Sequence, residues 1–467
     1  MTQFISPGAT IGIIGGGVSA FRMADTASLM GMRTVVLAPT QTDIALEKAD
    51  IPLVGQADDR EALKELTQLS TVMTFTDENV DGAVLAELAT SSQLPSGTDI
   101  LTVTQDRYLE KVFLDDLNMN ILPYTQVITP SDINEAIDTI GYPALLKPIQ
   151  KGMGVDQQLL LATPADVDRA KQLLQQRPYI LEAYLQNIKE VAVMVAKADK
   201  EIRIGPVIQN YFEHHQLKAS SVRADVDPAV IVEIRRIAEK IAKKLDYNGI
   251  FSLEFFLAAN GTLYVKRVFP GPKLYGHLMQ CTSDISEYEL HLRAILGWPL
   301  PELELAEDGV VIPLRQKDMD AVLTQIQIKP DWRFAFYPTG NELVGEIEIV
   351  GDLKAIKDSP AGAAVGAPYS GVPEWCWMGS PLGVGVGGAG TLLGSVIDSP
   401  FIRRLRPSIL SLSGRGVQHP RRMVFRRRSS SFPCCNLAAC PSKRCCDAEQ
   451  ETIAISGMVG SRGGCNI

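Results

Sequence analysis

The first residues arranged for chemistry lie near the start of the chain. Gly15-Gly16-Gly17-Val18-Ser19-Ala20 fits the pattern G-x-G-x-x-A between a strand-like run, Thr10 to Ile14, and a helical one. Bare backbone N–H groups in such a turn can meet a pyrophosphate. A dinucleotide site of that kind also needs an acidic residue closing the second strand, to hold ribose hydroxyls. Here that strand ends Val36-Leu37-Ala38-Pro39, so a nicotinamide site is disfavoured and the glycines read as a tight turn for helix-to-strand packing. The second chemical cluster lies at the far end, where Cys376, Cys434, Cys435, Cys440, Cys445, Cys446 and Cys465 crowd together and arginines recur between Arg403 and Arg428. Thiolates bind zinc and arginines contact phosphates. The cysteines, however, lack the paired Cys-x-x-Cys spacing that holds tetrahedral geometry, which disfavours a zinc or nucleic-acid module.

The elements that must position such groups alternate. Thr10 to Ile14, a helix through about Gly31, a strand Thr34 to Leu37, a helix Asp59 to Leu69 and a strand Thr71 to Phe75 predict a parallel sheet with helices on its faces. From Thr104 a second unit begins with the amphipathic helix Gln105 to Leu117. It continues through the strand Tyr124 to Ile128, the helix Ser131 to Ile140, a strand Pro143 to Lys147 ending in lysine, and the helix Pro164 to Gln176. Alternating runs at Tyr179 to Glu182, Val191 to Val195 and Arg203 to Ile208 predict an antiparallel sheet. The helix Ala229 to Leu245, a hairpin from Phe251 to Val268 turning at Asn260-Gly261, and the helix Ser286 to Leu296 complete the unit. The boundaries expected are 1–103 for a Rossmann-like domain, 104–298 for a two-part central domain, 299–357 for a small β-rich domain and 358–467 for an atypical extension. In that extension lysine almost vanishes and no apolar period persists, so it reads as poorly folded. A reading-frame shift or a fusion scar would explain the abrupt change in residue usage better than a native module would.

Bulk composition narrows the function classes. The 467 residues exceed one ordinary domain, and a net charge of −9 argues against nucleic acid as the main partner. Met378 to Ile397 is uncharged and of spanning length, but its seven glycines and one proline disfavour a membrane helix. With no basic, apolar leader at Met1 to Thr10 and Cys281 alone before residue 370, a reduced cytoplasmic enzyme is the expectation.

Six separated segments then resemble one family, the 5-(carboxyamino)imidazole ribonucleotide synthases of purine biosynthesis. They are Ile11-Gly-Ile-Ile-Gly-Gly-Gly17, Glu78-Asn79-Val80, Thr104-Gln-Asp-Arg107 with Glu110-Lys111, Gly141-Tyr-Pro-Ala-Leu-Leu-Lys147, Leu253-Glu-Phe-Phe256 and His291-Leu-Arg-Ala-Ile-Leu-Gly297. They keep that family's order and spacing over about residues 8 to 350. The resemblance implies an α/β, partly α+β, ATP-grasp fold behind a Rossmann-like domain. It implies ATP and Mg²⁺ as cofactors, small nucleotide and ribonucleotide ligands, a homodimer, and ATP-dependent carboxylation of an aminoimidazole ribonucleotide with bicarbonate through a carboxyphosphate.

Residue by residue, the resemblance assigns Lys147 to ATP phosphates, Glu182 to the adenine hinge, Glu190 to the ribose, Arg107 to the opening of the ATP-binding domain and Glu254 to a metal. Glu78 and His277 fall on the substrate side. Several departures accompany these matches. Where the family carries Asn-Glu followed by His-Asn-Ser-Gly-His, this chain has Lys266-Arg267 and Lys273-Leu-Tyr-Gly-His277, so Arg267 replaces a metal-binding acid. The phosphate loop is Lys151-Gly-Met-Gly-Val-Asp-Gln157, the turn after the glycines is Val18-Ser-Ala-Phe21, a His-Glu-Ser segment is Lys218-Ala-Ser220, and Arg-Lys-Met-Gly-His becomes Glu342-Leu-Val-Gly-Glu346. Three readings stay open from sequence: a working synthase, a catalytically impaired relative that binds nucleotide or a partner as regulator or scaffold, and a ligase with a different acceptor.

Overall fold

The computed structural model describes residues 3–351 apart from 153, 155, 156, 176, 214, 215 and 339–341. The expectations for 358–467, including the cysteine and arginine clusters, lie outside the described residues, as does part of the phosphate loop.

The first sheet is parallel, with strands β1 Thr10–Ile14, β2 Arg33–Ala38, β3 Ile51–Val54 and β4 Val72–Phe75 in the order β3-β2-β1-β4. Ile11, Ile13 and Ile14 are buried on both faces, as a parallel sheet sandwiched by helices requires. One face packs against helix Val18–Leu29 through Ala20 and Met23 and against helix Glu287–Ile295 through Tyr288, Leu292 and Ile295. Helix Arg60–Leu69 starts at Asp59, whose carboxylate accepts from Glu61 and Ala62 N–H groups, and buries Leu63 and Leu66. The glycine turn behaves as its packing reading requires. A Cβ on Gly15 would come 2.2 Å from Thr76 Oγ1, and one on Gly16 would come 2.6 Å from Asp43.

Two further sheets carry the rest of the described chain. One holds β5 Tyr124–Val127, β6 Ala144–Pro148, β7 Leu159–Leu161 and β8 Tyr179–Ala183, in the order β5-β8-β6-β7. The other is eight-stranded: β9 Ile188–Ala198, β10 Glu201–Glu213, β11 Gln216–Val222, β12 Gly249–Ala258, β13 Leu263–Pro270, β14 Gly309–Leu314, β15 Arg333–Phe336 and β16 Gly345–Val350. Their order is β13-β12-β9-β10-β11-β14-β16-β15. The hairpin expected at Asn260-Gly261 joins β12 to β13, with Gly261 at φ +84°, the left-handed turn that glycine favours.

Several elements escape the sequence reading. β3 is short and contains Pro52, and β11 is a polar strand; neither has a long alternating run. The segment after 309 contains the helix Met319–Ile328 as well as strands. Its β14 pairs with β11, so these strands continue the large sheet.

Candidate functional site

Strand ends and one helix start bring several of the sequence-predicted residues together. Lys147 lies near the end of β6, directly beside β8, and its ammonium bonds to the Glu182 carboxylate. Lys111, one helical turn after Arg107 on helix Arg107–Asp116, forms an ion pair with the other Glu182 oxygen. Glu182 is 4% exposed. Burial alone would favour its neutral form, but Lys147 and Lys111 overcome that and hold its pKa at about 2. In the sequence Lys111 stands out only as part of the Glu110-Lys111 motif. Its i,i+4 spacing from Arg107 puts both cations on one helix face, a signal that could have flagged it.

Arg107 is anchored through backbone. Its Nη1 donates to the Pro148 carbonyl at 2.7 Å and the Gln150 carbonyl at 3.0 Å, tying the helix start to the end of β6. Burial lowers its pKa, with Glu110, Arg267, Glu182 and Glu78 within Coulombic reach. Glu110 in turn accepts from the Val268 N–H at 2.8 Å and pairs with Lys151 at 2.9 Å, joining the helix to β13. Glu78 is buried and its Oε2 has no hydrogen-bond partner among the described residues, leaving an acceptor beside these cations.

On the large sheet, Glu254 of β12 stands opposite Arg267 of β13 in antiparallel register. Cross-strand neighbours in that position share a face. Arg267 closes a two-point pair on the carboxylate, with Nε to Oε2 at 2.9 Å and Nη2 to Oε1 at 2.8 Å. Lys266 reaches the same carboxylate at 3.0 Å and Glu190 at 2.7 Å. The Tyr275 hydroxyl lies 3.4 Å from Glu254 Oε1. Burial opposes the ionised form of Glu254, but Arg267 and Lys266 hold its pKa well below the usual range. Lys273, which no sequence signal beyond the departure itself singled out, lies 3.2 Å from the Phe269 ring centroid. Burial and then Arg267 push it down to about 8.

This donor set does not fit Mg²⁺. Magnesium asks for free oxygen donors in near-octahedral array, whereas both Glu254 oxygens are bonded to cationic side chains. Among the described residues no three His, Cys, Asp or Glu side chains gather to hold a metal.

His277 makes its contacts in a different cluster. Its Nδ1 lies 2.6 Å from Glu346 Oε2 and its Nε2 2.6 Å from the Tyr288 hydroxyl. Arg22 pairs with the same Glu346 at 2.5 Å. Burial would lower the His277 pKa, but Glu346 outweighs it and raises it. Glu287 is fully buried, with His277 Nε2 3.8 Å away, and burial pushes its pKa up to about 7. The candidates therefore divide: Lys147, Glu182, Arg107, Glu78, Arg267, Glu254 and Glu190 form one linked set, and His277 belongs to the Arg22–Glu346 network.

Comparison with known proteins agrees with this architecture. Residues 8–105 match the ribonucleotide synthetase preATP-grasp domain and residues 112–288 the ATP-grasp domain. The N5-carboxyaminoimidazole ribonucleotide synthase of Bacillus subtilis is 31% identical over 313 residues, covering 67% of this chain and 82% of the relative. That of Staphylococcus saprophyticus is 32% identical over 332 residues, covering 71% and 88%. Among solved structures, an ADP complex of N5-carboxyaminoimidazole ribonucleotide synthetase superposes with a TM-score of 0.71 at 31% identity, over 75% of this chain and 95% of that one. The Staphylococcus aureus synthetase complexed with ADP gives 0.71 at 29%, over 75% and 95%. Among the described residues no helix is long and apolar enough to cross a membrane. On this identity, coverage and shared architecture, the chain belongs to the N5-carboxyaminoimidazole ribonucleotide synthase family of ATP-grasp proteins.

Proposed function

We propose that this protein is an ATP-dependent ligase that carboxylates 5-aminoimidazole ribonucleotide with bicarbonate. The observation that carries this reading is the similarity to the Bacillus subtilis synthase over 82% of that protein. In the reaction a bicarbonate oxygen attacks the γ-phosphorus of ATP and ADP departs. The ribonucleotide amine then attacks the carboxyl carbon of the carboxyphosphate, phosphate leaves and the nitrogen loses a proton.

The roles assigned to side chains follow from their placement. Lys147 and Lys111 flank Glu182, a polar frame for one end of a nucleotide, with the lysines supplying charge toward phosphate. Arg107, fixed by two backbone carbonyls, is held ready to orient an anion without rearrangement. Glu78 Oε2, without a hydrogen-bond partner among the described residues, is suited to accept from an amine or hydroxyl of the acceptor. Glu190 keeps its ribose role through a carboxylate steadied by Lys266. The family's homodimer belongs to the same reading and is tested by the solution mass of the full chain.

The Glu254–Arg267 pair favours a second reading, a family member that binds nucleotide without turning it over. A metal bridging phosphoryl oxygens supplies several kcal/mol of charge stabilisation, and Arg267 stands where the family has a metal-binding acid. One experiment separates the two. ADP release is followed with ATP, bicarbonate and Mg²⁺, with and without the aminoimidazole ribonucleotide. Ribonucleotide-dependent release supports the ligase; ATP binding without release supports the second reading.

A further inference from the structure

We propose that this site takes its nucleoside triphosphate without a divalent metal, with Arg267, Lys266 and Lys273 standing where the cation would lie. The inference rests on the reading of this site as a nucleotide pocket and adds which ionic form of nucleotide it accepts.

The first support is the geometry around Glu254. Glu254 is 3% exposed, and Arg267 and Lys266 together engage both of its carboxylate oxygens. A metal could reach those oxygens only by displacing a two-point guanidinium pair, among the strongest side-chain hydrogen-bond arrangements. It would then lie beside two displaced cations, where Glu78, within Coulombic reach of Arg267, keeps one carboxylate oxygen without a hydrogen-bond partner among the described residues. Glu190, the other acid at this point, is bonded to Lys266 at 2.7 Å.

The second support is that the cations retain capacity for an anion. Pairing with Glu254 uses the Nε and one Nη2 hydrogen of Arg267, and among the described residues its Nη1 has no acceptor, which leaves that side for an anion. The Arg267 side chain is 32% exposed and that of Lys266 is 23% exposed, so neither is sealed beneath the sheet. Lys266 is steadied between the Phe212 and Phe256 rings, at 5.3 and 5.2 Å from their centroids, and Lys273 rests on Phe269. Arg107, held by backbone carbonyls, lies within Coulombic reach of Arg267. Fixed cations around a phosphate chain perform the neutralising part of a metal's work.

The third support is that the pairing is written into the register. Glu254 and Arg267 face one another across β12 and β13, so the ion pair forms whenever the hairpin forms.

ATP binding to the full chain is measured by calorimetry in EDTA and again in excess Mg²⁺. The inference expects dissociation constants within about threefold of one another, and no heat when Mg²⁺ is added alone. Arg267→Glu, which places a second acid opposite Glu254, is expected to make ATP binding at least tenfold tighter in Mg²⁺ than in EDTA. Should that variant not fold, Arg267→Gln removes the charge without adding one, and is expected to weaken ATP binding in EDTA tenfold or more. Binding by the unaltered chain that is tenfold or more tighter in Mg²⁺ overturns the inference. Absence of ATP binding in both media overturns the nucleotide-pocket reading and the inference with it. Equal affinity in both media supports the inference whether or not ADP is released.

Discussion

Lys147 and Lys111 share one carboxylate, Glu182, which keeps both ammonium groups in place without a flexible search. A charged hydrogen bond contributes about 1.5–3 kcal/mol, so Lys147→Ala is expected to weaken ATP binding by roughly tenfold or more, read by calorimetry. Lys273 adds a pH dependence. Its pKa of about 8 leaves it charged below that pH and neutral above, so ATP affinity should fall as pH rises through about 8. Lys273→Met should bind more weakly at pH 7 and lose that step; a step that persists in the variant would assign the titration elsewhere. Lys147, Arg107 and Glu254 stand out in sequence as candidates because each lies in a short motif at a strand or helix end. Lys273 was not, because its place beside Arg267 depends on how the chain folds back after β13.

At the scale of elements, the β12–β13 hairpin is the main positioning device, since one register sets Glu254 against Arg267. Its last strand is followed by Gly271, at φ +86°, where a Cβ would come 2.8 Å from the Thr76 carbonyl oxygen. Thr76 directly follows β4 of the first sheet, so this is where the large sheet meets the N-terminal one. Gly271→Ala must both strain the backbone and push against a carbonyl that cannot rotate away. A loss of about 2 kcal/mol or more is expected, seen as a lower urea midpoint with unchanged slope. The hairpin was legible from Asn260-Gly261 and the apolar runs beside it. The pairing of β14 with β11 was not, because antiparallel neighbours far apart in sequence leave no local signature.

At the scale of the whole molecule, the buried network of Arg22, Glu346, His277, Tyr288 and Glu287 fastens the first helix, the helix Glu287–Ile295 and β16 to one another. Glu287 has its pKa raised from 4.5 to about 7 by burial. A carboxyl raised in the folded state contributes stability that is present below the unfolded pKa and lost as pH rises through the folded one. Glu287→Gln removes that loss. The variant should match the parent near pH 4 and exceed it by about 3 kcal/mol near pH 8, measured by urea unfolding across that range. Equal stabilities at pH 8 would show that the carboxyl is not buried as described.

The family and the alternation that yields the parallel sheet were determined by the sequence alone. Short periodic patterns and ordered motifs are local and survive without knowledge of the fold. Only the tertiary structure decided that Arg267 is clamped onto Glu254, and that Glu182 serves two lysines. It alone placed His277 on Glu346, 69 positions away, and brought Arg22 to that same carboxylate across 324 positions. The reason is physical: a buried charge must find a counter-charge, and which one it finds depends on the packing of distant elements rather than on neighbours along the chain.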